Sequence, residues 1–306
     1  MQRDLTRRSL IATLITGRCA MGSPHEHVLS AVKDMEQRDK LQLVQIWKIR
    51  RGPLTDEQHP SGHLVGVAAV SSDATAVVYW WPVHIKQPRD VPFLVVETAA
   101  GDIRPITLQG HRPYTCGASA EAKIIVVRTS STVRLGRKSL LAIDLRSGLT
   151  VHDLTPYGTT RFELPDLERV SVSGDGSLAA LGSREKIQVI DVPGGNEVMM
   201  VTGRFPKLAP DGKRLAYISD ERLYIRSIVD GSSERLISNT RTMGAGAWSP
   251  NGRFIPAGAW TTRLAFEKCE IVVDTITGDY GISGKLGDGD YGDGLVWVSN
   301  QLMHSH

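Results

Sequence analysis

What the chain lacks narrows the field first. Its 306 residues hold three cysteines (Cys19, Cys116 and Cys269) and no Cys-x-x-Cys pair, so it carries neither a disulfide framework nor a zinc knuckle. No run of 18 or more apolar residues occurs, so no helix crosses a bilayer by length alone. A formal net charge of +3 is too mild to point to nucleic acid. There is no Walker loop, Gly-x-Ser-x-Gly elbow or His-Glu-x-x-His pair. Gly287-Asp288-Gly289-Asp290-Tyr291-Gly292 spells a dinucleotide fingerprint, but no helix pattern follows it, and Asp288 and Asp290 would repel phosphate. No cofactor is expected. What is present is 41% hydrophobic content, enough to bury a full core, and glycines and prolines that recur at regular places.

The first forty residues stand apart. Residues 1–22 carry Arg3, Arg7, Arg8 and Arg18, one acid (Asp4) and the apolar stretch Leu10–Thr16 before Ala20, Gly22 and Ser23. That order reads as an export signal cleaved after Gly22, and Thr6-Arg7-Arg8-Ser9-Leu10-Ile11 is similar to a twin-arginine signal. It places the protein in the periplasm or outside the cell. The alternatives are an uncleaved basic N-terminus on a cytoplasmic protein and an organelle transit peptide. Ser23-Pro24-His25-Glu26 then starts a helix, with Ser23 as cap and Val28, Leu29, Val32 and Met35 on one face; residues 23–40 form that amphipathic element.

From residue 41 onward the chain repeats. A short apolar strand leads into a turn of a small residue followed by an acid or Asn: Ser71-Ser72-Asp73, Ser119-Ala120-Glu121, Ser173-Gly174-Asp175-Gly176, Ala209-Pro210-Asp211-Gly212 and Ser249-Pro250-Asn251-Gly252. A second strand later in each unit ends at Gly101, Gly148, Gly195, Gly231 or Gly278, at spacings of 47, 47, 36 and 47 residues. Asp-Gly and Asn-Gly favour tight hairpins because these residues tolerate positive φ. Four short strands make a sheet that cannot bury both faces alone, and radial stacking of such sheets solves the problem. The ends hold partial units: Tyr291–Gln301 resembles an opening half and Leu41–Ile49 a closing half. The expectation is an all-β, six-bladed propeller over residues 41–306, closed by N- and C-terminal strands, with about 44 residues per blade.

Leu208-Ala209-Pro210-Asp211-Gly212-Lys213-Arg214-Leu215-Ala216-Tyr217-Ile218-Ser219-Asp220 and Ala247-Trp248-Ser249-Pro250-Asn251-Gly252-Arg253-Phe254 resemble the WD-like repeat of TolB-like β-propellers. Leu223-Tyr224-Ile225 and Glu234-Arg235-Leu236-Ile237 sit where that repeat places its next two strands. The resemblance implies a bacterial, often periplasmic, protein-binding scaffold rather than an enzyme.

Site candidates come from the segments leading into each innermost strand, which in a propeller surround one mouth of the channel. Counting back ten residues from the turn acid or Asn gives His63, His111 and Arg241, with Arg112, Arg169, Arg204 and Lys207 nearby. Cations gathered at one funnel would attract an acidic protein segment or another anionic ligand. The favoured reading is a monomeric, non-enzymatic scaffold binding a protein or peptide, with His63, His111, Arg112, Arg169, Arg204 and Arg241 as contacts. The alternative is a lyase or hydrolase of an anionic small molecule or saccharide, with His63 and His111 catalytic and Arg112 and Arg241 holding the anion. A bland alternative pairs the arginines with Asp288, Asp290, Asp293 or Glu168 as ties between blades. No metal is expected; clustering of Asp288, Asp290 and Asp293 leaves calcium as a weak alternative. Cys116 and Cys269 fall on strand-like segments as buried, inert thiols.

Overall fold

The computed structural model describes residues 24–46, 50–51, 65–80, 94–106, 108, 111–131, 139–145, 150–154, 167–236, 240–260, 268–286 and 292–304. The proposed signal segment, Trp47, His63, Asp288 and Asp290 lie outside them.

The described body is all-β, and its strands fall into six antiparallel sheets. The chain ends make the smallest: β1 (Leu41–Gln45) pairs with β23 (Leu295–Ser299), Leu43 standing opposite Trp297. The next sheet joins β2 (Arg50–Arg51), β3 (Val65–Val70), β4 (Ala76–Trp80), β5 (Leu94–Thr98) and β6 (Ile103–Ile106) in sequence order. Four four-stranded sheets follow. They are β7 (His111–Ala118), β8 (Ile124–Ser131), β9 (Ser139–Asp144) and β10 (Thr150–Asp153); β11 (Arg169–Val172), β12 (Leu178–Gly182), β13 (Lys186–Asp191) and β14 (Glu197–Thr202); β15 (Arg204–Leu208), β16 (Arg214–Ser219), β17 (Arg222–Ser227) and β18 (Ser233–Arg235); and β19 (Arg241–Ala245), β20 (Phe254–Trp260), β21 (Lys268–Asp274) and β22 (Tyr280–Lys285). Two sheets depart from the four-per-unit expectation among the described residues: Arg50-Arg51 adds to the start of β3, giving that sheet a fifth member, and the chain-end sheet has two strands.

The recurring turn has a common hydrogen-bond plan. Ser71 Oγ donates to Asp73 at 2.6 Å and accepts from the Ala76 N–H at 2.9 Å. Ser173 does the same with Asp175 and Leu178, and Ser249 with Asn251 and Phe254. The residue after the acid or Asn turns left-handed, so glycine stands there at Gly176 (φ 77°) and Gly252 (φ 68°), while Ala74 takes the same conformation (φ 62°).

Apolar burial joins each sheet to the next. Cys116, Ala118 and Ile125 pack on Ala69, Val78 and Leu94; Val126 and Leu140 on Val172 and Ala179; Val189 on Leu208 and Leu215; and Ile218 on Ala245 and Ile255. The chain-end pair packs on the first large sheet through Val44, Val296 and Val298 against Val77 and Val95. Its other face, with Leu41 and Trp297, meets Phe254 and Val272 of the last sheet. The helix Pro24–Asp39 lays Val28, Val32 and Met35 over that last junction. Fully burying a Leu- or Val-sized side chain contributes about 1.5–3 kcal/mol, so each junction holds through several such residues. Cys116 and Cys269 are buried, and desolvation pushes the Cys116 thiol up to about 12. Among the described residues no helix is long and apolar enough to cross a membrane.

Candidate functional site

His111, Arg169, Arg204 and Arg241 are the first residues of β7, β11, β15 and β19, the leading strands of four successive sheets. The equivalent start thus carries an ionisable base each time. Of His111 and Arg112 only the strand position is described.

A cavity of about 290 Å³ is lined by residues of five sheets and of the turn after β19, among them Ile46, Ala69, Cys116, Val170, Leu208, Trp248 and Val296. Arg169, Lys207 and Asp293 also line it. Arg169 donates from Nε (3.0 Å) and Nη2 (2.7 Å) to one carboxylate oxygen of Asp293. Lys207 Nζ donates to the Asp293 main-chain carbonyl at 3.1 Å. Burial in the cavity pushes the Lys207 ammonium down to about 8, against the favourable charge of Asp293 and with the help of nearby Arg169. The Trp248 indole N–H donates to the Lys207 carbonyl at 2.9 Å, fixing this strand to the next sheet.

Arg204 and Arg241 lie beside this cavity in two clefts. A cleft of about 650 Å³ is lined by Arg169, Arg184, Arg204, Phe205 and Glu221, among others. A neighbouring cleft of about 420 Å³, between the β15–β18 and β19–β22 sheets, is lined by Arg204, Phe205, Glu221, Arg241, Thr242, Met243, Trp260 and Lys268. Arg241 pairs with Glu221. That hydrogen bond, and then the charges of Arg241, Arg204 and Arg222, hold the Glu221 carboxyl below its usual range. The Arg204 side chain makes no ion pair or hydrogen bond among the described residues; its guanidinium and that of Arg169 lie 5.6 and 5.8 Å from the Phe205 ring centroid.

The structure therefore sorts the sequence candidates. Arg169 has taken Asp293 as a partner, as the tie reading expects for that pair; Arg241 has taken Glu221, an acid the sequence did not single out; Arg204 keeps its donors uncommitted among the described residues. Asp293 serves Arg169, and among the described residues no group of three possible metal ligands comes together. Phe205, Glu221, Thr242, Trp260 and Lys268 were not evident as site residues. The signal that marks Phe205 and Glu221 is left-handed backbone at non-glycine residues, φ 56° and 57°, which a sequence does not display.

No family model matches the sequence, and no curated protein matches it. Among solved structures the chain is similar to TolB from Acinetobacter baumannii, with 16% identity, a TM-score of 0.50, and coverage of 76% of this chain and 57% of that one. It is also similar to a putative TolB from Agrobacterium tumefaciens (15% identity, TM-score 0.48, 79% and 87% covered) and to a chain of a nidogen/laminin complex (12%, 0.48, 78% and 90%). Of these three the first reaches 0.50, and at such identity the likeness concerns the fold: a TolB-like propeller of antiparallel sheets. The chain spans little more than half the length of that first relative.

Proposed function

We propose that the chain is a six-bladed propeller closed by the β1–β23 pair, exported to the bacterial envelope, and that it works as a non-enzymatic scaffold binding a protein or peptide segment. The proposed contacts are Arg169, Arg204 and Arg241, which open their leading strands, together with His63, His111 and Arg112, assigned from the sequence alone. The observation that carries this reading is the recurrence of a base at the first position of four successive leading strands. On this reading the repeated bases gather charge at one mouth, and focused charge favours an acidic segment. A TolB-like fold supports a scaffold in general terms.

The test uses immobilised full-length protein with envelope extract, comparing the wild type with an Arg204→Glu/Arg241→Glu double variant of unchanged circular dichroism. Retention of one partner by the wild type, lost on charge reversal, is the expected result. Equal retention by both, or none by either, overturns the reading. Mass spectrometry of the protein from cells checks the compartment: a mature chain beginning at Ser23 is expected, and an intact Met1 terminus would place the scaffold in the cytoplasm.

A further inference from the structure

The cleft between the β15–β18 and β19–β22 sheets offers more than surface charge. Thr242 is fully buried at 0% exposure, lines the cleft, and its hydroxyl has no hydrogen-bond partner among the described residues. Its main-chain N–H is already committed to the Glu221 carbonyl at 2.8 Å. An unmet buried hydroxyl costs about 1–3 kcal/mol. Beside it, Arg204 holds its fork of donors uncommitted among the described residues. Two ring faces flank the space: Phe205 under the Arg204 guanidinium and Trp260 under the Lys268 ammonium, at 5.6 and 5.7 Å. Arg204 and Arg241 line the cleft with Glu221, the one acid among the described lining residues.

We infer that this cleft binds a carboxylate carried next to a planar ring. The deduction rests on the scaffold reading above and names the chemistry its contact face recognises. Arg241 is held by Glu221, which leaves the Arg204 guanidinium fork to receive the ligand's oxygens. Two oxygens in a plane match that set, whereas a phosphate dianion brings three outer oxygens and asks for donors already in use. The rings supply the apolar walls against which a flat group stacks. A volume of about 420 Å³ lies in the range of small-molecule sites and also admits one terminal residue of a peptide. The shared chemistry has two sources, a free aromatic acid or a peptide ending in an aromatic residue.

Calorimetric titration of the full chain with four probes tests it: benzoate, benzamide, a pentapeptide ending in phenylalanine with a free carboxylate, and the same peptide amidated. Each carboxylate is expected to bind at least tenfold tighter than its amide; the tighter of benzoate and free-acid peptide identifies the source. Arg204→Gln is expected to lower affinity at least tenfold with thermal stability kept, and Thr242→Val, which changes only a buried hydroxyl, to leave affinity within twofold, a pattern that mere structural support would not give. Glu221→Gln, by freeing Arg241, is expected to tighten binding two- to threefold. Equal binding of acids and amides, or full affinity in the folded Arg204→Gln variant, overturns the assignment. The scaffold reading fails separately: carboxylate binding with no partner retained from extract sinks the scaffold and keeps the cleft, and a partner retained by a wild type that binds acids and amides equally does the reverse.

Discussion

Arg169 and Asp293 are separated by 124 positions in the chain and meet at 2.7 Å in the wall of the cavity that Cys116, Leu208, Trp248 and Val296 also line. One residue opens β11, and the other precedes the strand that pairs with the N-terminal β1. The pair therefore links the middle of the chain to its closing segment. Both guanidinium donors share one oxygen, and the pair is partly exposed on the arginine side. Asp293→Asn is expected to cost about 1 kcal/mol of stability, since partly screened pairs seldom exceed that. A double-mutant cycle with Arg169→Gln checks it: coupling that shrinks at high salt is expected, and strictly additive losses would show that the two side chains do not support one another.

Lys207 gives a prediction with a sign. Its folded-state pKa lies at about 8, below the ordinary 10.5, mainly through burial. Below about pH 8 the residue is protonated folded and unfolded alike, and its burial penalty is fully present. Between about 8 and 10.5 the folded chain has released the proton while the unfolded chain keeps it, so the unfolded state binds more protons and stability rises with pH. Relative to Lys207→Met, the wild type is expected to gain on the order of 2 kcal/mol across that window in urea unfolding. A difference that stays flat from pH 7 to 10 would mean that the ammonium is hydrated in the folded state.

Close approach of neighbouring sheets supplies a third. A Cβ on Gly174 would lie 2.4 Å from the Pro210 carbonyl oxygen, a main-chain atom of the next sheet's turn, and the Gly174 N–H donates to that same oxygen. Gly284, on the outermost strand β22, has its nearest neighbour at 4.0 Å. Gly174→Ala is expected to destabilise by about 1–3 kcal/mol through forced separation of the sheets, and Gly284→Ala to stay within about 0.5 kcal/mol. Thermal unfolding of the two variants compares them directly; equal losses would refute the close-contact account.

These cases also show what the sequence could and could not reveal. The Ser71, Ser173 and Ser249 turns were legible because their hydrogen bonds close within five residues, so the pattern is local. The pairing of Leu41–Gln45 with Leu295–Ser299 was legible because each end carries half a repeat. The ion partners were not. Glu221 belongs to a turn of one sheet and Arg241 to the leading strand of the next, so their meeting depends on how two sheets abut. Fixed counting from the turn also misaligns the leading strands: irregular register between Arg204 and Lys207, between Pro113 and Thr115 and between Thr242 and Gly244 changes how many residues separate mouth from turn. The unmet Thr242 hydroxyl, finally, is a property of packing, and no residue type announces it.

The turn joining β16 to β17 lets stability and binding be separated. Asp220 and Glu221 both adopt left-handed backbone, φ 46° and 57°, between the paired residues Ser219 and Arg222. A two-residue hairpin of this kind favours Asn-Gly, because a Cβ is penalised at both central positions and least so for Asn. Replacing the pair by Asn-Gly is expected to add about 1 kcal/mol, a rise of about 2–4 °C in Tm for a domain of this size. The same change removes the Glu221 carboxylate from Arg241, so benzoate is expected to bind tighter, not weaker. Asp220→Asn alone, which leaves Glu221 in place, is expected to move Tm slightly and affinity not at all. Calorimetry on the two variants distinguishes the effects: a double variant with unchanged Tm would show that the turn carries no backbone strain, and one with weaker benzoate binding would show that Glu221 supports the cleft rather than competing for it.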